Sequence, residues 1–142
     1  MRHNIKAISI MEFVILVVII GILSGLTLNN FFRAVQQNFE REAIAQIKVI
    51  QEHLEKIKEI TGQYPYYTLP NRLSINNHFD LQIPNNDYLS YQYIPSSNAY
   101  IVDVLTARGW GIRYNSLYPN RGLHCINGPC PNCQEDGENC GN

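Results

Sequence analysis

The sequence predicts an α+β protein in which a long N-terminal helix, half membrane-grade and half amphipathic, packs on a small antiparallel sheet of three to four strands. A disulfide-rich C-terminal tail completes it. Three observations lead there. Twenty uncharged residues lie between Glu12 and Arg33, apolar residues then recur every three or four positions to Ile57, and short alternating segments follow Tyr88.

The uncharged run, "FVILVVIIGILSGLTLNNFF", covers about 30 Å as a helix, the thickness of a hydrocarbon core. Arg2 and Lys6 precede it, which favours a cytoplasmic N-terminus and an exported remainder. No small-x-small cleavage site follows the run, so an anchor fits better than an ordinary signal peptide. Gly21 and Gly25 form G-x-x-x-G on one face, a spacing that permits close helix approach, although glycine is common in membrane helices anyway. Glu12 is the anomaly. A carboxylate in hydrocarbon costs about 2.5 kcal/mol or more at the bilayer centre, and such residues are usually functional.

Beyond the run, apolar residues step 32, 35, 39, 43, 47, 50, 54 and 57, the stripe of an amphipathic helix. Glu40, Arg41, Lys48, Glu52, Glu55, Lys56 and Glu59 read as its solvated face. Gly62 and Pro65 end it. Residues 66–87, rich in Asn and Pro, read as a long surface loop. "YLSYQYI" and "AYIVDVL", joined by "SSN", form a hairpin, and "GIRYN" adds a third strand after Arg108 and Gly109. Three such strands bury one face against the helix stripe.

Composition excludes several functions. Beyond residue 32 there are nine Lys or Arg against eleven Asp or Glu and no basic run, which argues against nucleic acid as a partner. No H-E-x-x-H, G-x-S-x-G or P-loop occurs, and the four histidines are scattered, so no catalytic constellation and no cofactor are expected. The four cysteines, Cys125, Cys130, Cys133 and Cys140, fall in the last eighteen residues. In an exported tail they read as two disulfides, with three pairings open. A single C-x2-C beside His124 is only half a zinc ribbon, and "QEDGEN" lacks the ligand spacing of an EF-hand loop, so no metal is expected.

The stretch "A-ISIMEFVILVVIIGIL" resembles the N-terminal signature of type IV pilins and type II secretion pseudopilins, G-FTLIELxxVxxIIGIL. Strong similarity covers residues 6–25. The resemblance implies a leader of residues 1–7, cut between Ala7 and Ile8 by a prepilin peptidase, with Ile8 becoming an N-methylated first residue. It implies a transmembrane and assembly helix over 8–32 and a periplasmic or extracellular domain over 33–142. Glu12 then occupies the position whose carboxylate meets the α-amino group of a neighbouring subunit, with Gly21 and Gly25 in the assembling helix. The implied partners are other pilin subunits, the prepilin peptidase and an inner-membrane assembly platform. Ala7 stands where the family usually has Gly, Ile8 where it has Phe, and Asn29 where major pilins carry a bending proline. The missing proline disfavours a major pilin, which leaves a minor pilin, with a secretion pseudopilin as the alternative. The rival class is a membrane-anchored module using its cysteine tail as a metal or redox site.

Overall fold

A computed structural model describes residues 9–128 and 130–131 of the chain, and for residues 26 and 27 the backbone alone. The molecule is α+β, with one long helix, α1 (Ile10–Thr61), whose second half packs on a four-stranded antiparallel sheet. It divides into two compact units, Met1–Val35 and Gln36–Asn142.

In the first unit the described residues are helical from Ile10 onward, and the apolar side chains from Ile10 to Leu23 and those of Leu28, Phe31 and Phe32 are exposed. Ser24 sits inside this apolar stretch, and its hydroxyl donates to the Ile20 carbonyl at 2.7 Å, the usual way a helix satisfies a serine away from water.

The second unit is built around the stripe. Ala43, Ile47, Ile50 and Leu54 are wholly buried, with Phe39, Ile44 and Ile57 packed beside them. Gly62 ends α1 with φ of 83° and its N–H bonded to the Lys58 carbonyl at 2.8 Å, a backbone state that glycine adopts without penalty.

The sheet consists of β1 (Leu89–Ser96), β2 (Ala99–Thr106), β3 (Gly111–Asn115) and β4 (Leu123–Ile126), in the order β1-β2-β3-β4. Every strand therefore pairs antiparallel with its sequence neighbour. Ser97 and Asn98 make the first turn, with Asn98 at φ 59°, which asparagine tolerates better than most side chains. The face toward α1 carries Tyr91 and Tyr93 of β1, Tyr100, Val102 and Val104 of β2, Ile112 of β3 and Leu123 of β4, all buried. Tyr93 meets Phe79 edge-on at 5.4 Å, Tyr64 meets Tyr100 at 4.7 Å, and the Tyr93 hydroxyl donates to the Pro65 carbonyl at 2.7 Å. On the other face Asp103 is buried and takes both Nε and Nη2 of Arg113, its cross-strand partner, at 2.7 Å each.

Two expectations are corrected. Residues 66–87 are not one surface loop, because they contain a second helix, α2 (Arg72–Phe79), which buries Ile75 and Phe79. Asn71 caps it by accepting the Ser74 N–H at 2.9 Å, and Asp80 at φ 49° closes it. The asparagines that suggested a loop act as staples. Asn76 donates to the Ile83 carbonyl and accepts the Ile83 N–H, which holds buried Ile83 under the helix, and Asn86 donates to Glu42 on α1 at 2.8 Å. Glu40 is the second correction. It is buried at 2 % exposure rather than part of the solvated face, since its position in the helical turn faces the core flank beside Ala43.

Candidate functional site

The described chemistry lies at the head of α1 in the first unit and at a disulfide and a groove in the second. In the first, α1 opens with Ser9, whose backbone N–H donates to Glu12 Oε2 at 3.1 Å. Ser9-x-x-Glu12 is thus half of a capping box, in which a carboxylate at the third helical position satisfies an N–H that the helix leaves orphaned. A carboxylate in the first turn also complements the positive end of the helix dipole. Glu12, Ile15, Leu16 and Ile19 line a shallow, mostly apolar groove of about 450 Å³ on the exposed helix. The carboxylate therefore has a role within its own chain and stays at the lip of an apolar face.

Gly21 and Gly25 lie further along α1, and a Cβ placed on either would meet nothing within 4 Å. In a single copy their bare backbone is open to a neighbour. Ala7 and Ile8, at the expected leader junction, lie outside the described residues.

In the second unit, Cys125 of β4 and Cys130 form a disulfide with a Cα–Cα separation of 6.0 Å. Cys130 is buried, with Sγ 3.6 Å from the Gly111 carbonyl, so the bridge ties the end of the described chain to β3. Cys133 and Cys140 lie outside the described residues. Among the described residues no three His, Cys, Asp or Glu side chains converge as metal ligands.

A groove of about 590 Å³ runs beside α1, lined by Lys48, Gln51, Glu52, Glu55, Lys56 and Glu59 on the helix and by Tyr100 and Tyr114 on the sheet. At its end Glu55 accepts the Tyr64 hydroxyl at 2.7 Å, and Lys58 donates to the same hydroxyl at 3.2 Å. Burial, then the bond to Glu55, pushes the Tyr64 phenol well above its ordinary pKa. Tyr100 is raised likewise, by burial first and by nearby Tyr114 and Glu55 after it. Its hydroxyl is buried and has no hydrogen-bond partner among the described residues.

Of the residues expected to matter, the structure thus places Glu12, Gly21 and Gly25 on one exposed helix and brings Cys125 to Cys130. Two features escaped sequence reasoning. The Ser9–Glu12 cap was legible as S-x-x-E before an apolar run, whereas the Tyr100 groove carries no local signal because its walls come from segments some fifty residues apart. Comparison with family models, curated proteins and solved structures finds no match to this chain. Ile10–Thr61 is the one described helix long and apolar enough to cross a membrane, and Cys125–Cys130 is a disulfide.

Proposed function

We propose that this chain is a structural subunit of a type IV pilus-like filament, a minor pilin in character, processed by a prepilin peptidase and assembled from the inner membrane. The observation that carries the reading is the first half of α1. It exposes the apolar side chains from Ile10 to Leu23 and those of Leu28, Phe31 and Phe32, with one carboxylate, Glu12, at its head. Such a surface needs lipid before assembly and other helices after it, because contiguous apolar patches this long are not left in water. The spacing of Ala7, Ile8 and Glu12, matching the family's leader signature, supports the same reading.

In the membrane-resident form the cap to Ser9 keeps the carboxylate hydrogen-bonded near the headgroups. In a filament, Glu12 meets the α-amino group of Ile8 of a neighbouring subunit, and the pairing sets axial register. A buried charge is tolerated when an opposite charge and hydrogen bonds compensate it, and a missing partner costs about 3–5 kcal/mol.

Two substitutions separate capping from pairing. Glu12→Gln keeps an oxygen able to accept the Ser9 N–H but has no charge, whereas Glu12→Ala loses both. Both variants are expected to insert and to be cleaved after Ala7, and both to enter sheared filaments poorly while accumulating in membranes. Filament yield at the wild-type level for Glu12→Gln would reduce the residue to a helix cap and remove the pairing. Intact mass tests processing: the mature chain should lack "MRHNIKA" and carry one added methyl group. A Met1 terminus in cells that contain the peptidase would contradict the assignment.

A further inference from the structure

The outer face of α1 in the second unit is charged unevenly. Arg41, Lys48, Glu52, Glu55 and Glu59 follow one another at spacings of seven, four, three and four residues, so they share one side of the helix. All five are exposed, and none makes an ion pair with another described residue. The basic pair lies toward the N-terminal end and the three carboxylates, with Lys56 on their flank, toward the C-terminal end. The helix dipole does not explain Glu59, since it favours bases in the last turn of α1, and it does not reach Arg41 or Lys48 in the middle of the helix. Glu52, Glu55 and Glu59 also line the groove that Tyr100 and Tyr114 close on the sheet side.

We infer that this groove receives the Arg41 guanidinium of a second copy of the chain, displaced along the helix axis. Arg41 to Glu52 and Lys48 to Glu59 are each eleven residues apart. Eleven residues are close to three turns, so a parallel displacement of about 16 Å sets Arg41 beside Glu52 and Lys48 beside Glu59 at once. No like charges on the stripe then face each other. A displacement of seven residues does worse, since it puts Arg41 against Lys48 and Glu52 against Glu59. The guanidinium suits the groove chemically: it binds a carboxylate with two N–H groups and stacks on the ring of Tyr114, which lines the groove. Both halves of the stripe lie on one helix face, so a copy engages one neighbour through it, and the contact describes a pair rather than a whole lattice.

The inference rests on the assembly reading in one respect: subunits drawn from one membrane lie parallel. An antiparallel pair would join Arg41 to Glu59 and Lys48 to Glu52 instead, which makes the two arrangements separable. Full-length chains carrying Arg41→Cys are co-expressed with chains carrying Glu52→Cys or Glu59→Cys in cells that assemble the protein, and cross-linked dimers are mapped by mass spectrometry. The expected result is a 41–52 link, with the 41–59 link absent. A 41–59 link without 41–52, or neither link, overturns the proposal. As a second measure free of new cysteines, Arg41→Glu and Glu52→Arg should each abolish dimers captured by an amine-reactive cross-linker, and the two together should restore them; a double variant no better than either single one also overturns it. The sheared-filament fraction is scored in parallel. Filaments without the 41–52 link refute this contact and leave the assembly reading standing, whereas the link without filaments refutes the assembly reading and leaves the contact.

Discussion

Gly111 shows how a single atom matters at the start of β3. A Cβ there would lie 2.5 Å from the Val104 carbonyl oxygen, a backbone atom that cannot move without disturbing the β2–β3 ladder. Gly111→Ala is expected to destabilise the chain by about 1–3 kcal/mol, read from the denaturant midpoint. Asp103 and Arg113 test a different force. Removing Asp103 leaves a guanidinium without its carboxylate, but the Arg113 side chain is 36 % exposed and recovers water. Asp103→Ala should therefore cost about 1–2 kcal/mol, less than breaking a fully buried pair. A loss as large as that of a core truncation would mean that the ion pair is shielded by more than its strand neighbours. At this scale the sequence was only partly readable. Glu12 announced itself as a charge in an apolar run, and Ser9 before it completed a visible pattern. Glu40 did not, because a one-position rotation around a helix decides between core and solvent, and periodicity fixes a face only to within a residue.

The elements differ in how clearly the sequence announces them. The second half of α1 and β1 follow from period, since each buries one face with a regular repeat, whereas β2, buried on both faces, follows from its β-branched content and β3 from the turn before it. The helix α2 does not, because two apolar residues, Ile75 and Phe79, carry its whole buried side and asparagine occupies its middle. Its evidence lies in side-chain bonds to distant backbone, which a sequence window does not display. Phe79→Ala should cost about 3–5 kcal/mol, as for other fully buried aromatics, and Asn71→Ala about 1 kcal/mol through the lost cap. If Phe79→Ala were neutral by thermal or chemical melting, α2 would not be part of the core. The Cys125–Cys130 bridge closes a short loop, five residues apart in sequence, so chain entropy places its contribution near 2 kcal/mol. Cys125→Ser with Cys130→Ser should lower stability by about that much without unfolding the sheet. Free thiols at both positions in protein isolated under non-reducing conditions would contradict the bridge.

For the molecule as a whole, the core is rich in phenols, and this dictates an alkaline limit. Burial, and secondarily the Glu42 carboxylate, push Tyr91 up to about 12, while Tyr64, Tyr93 and Tyr100 are raised further by burial. A phenol that ionises less readily when folded stabilises the native state fully below its unfolded pKa, and that contribution is lost as pH rises toward the folded value. Stability should therefore hold up to about pH 10 and fall steeply above it, with the ultraviolet signal of tyrosinate from these four appearing together with unfolding. Gradual ionisation of all nine tyrosines before any loss of structure would contradict the burial. The first half of α1 makes a separate demand on the whole chain. Full-length protein is expected to stay with membranes after a carbonate wash, and deletion of residues 9–32 should release it. What the sequence kept hidden at this scale is the groove beside Tyr100, because it exists only where a helix flank and two strand ends meet.

The order of the strands bears on how the chain reaches its native state. Each strand pairs with the one before it, so the sheet closes by successive hairpins with short connections and no crossover. Loop closure is then cheap at every step, and low contact order of this kind favours fast folding. The costly event is the docking of α1, whose stripe must find the finished sheet across the α2 segment. Truncations in the sheet, such as Val104→Ala, should therefore slow refolding more than Ile47→Ala does relative to the stability each removes, while Ile47→Ala acts mainly by speeding unfolding. Stopped-flow refolding of the two variants decides the order, and a larger refolding effect for Ile47 would place the helix in the nucleus instead.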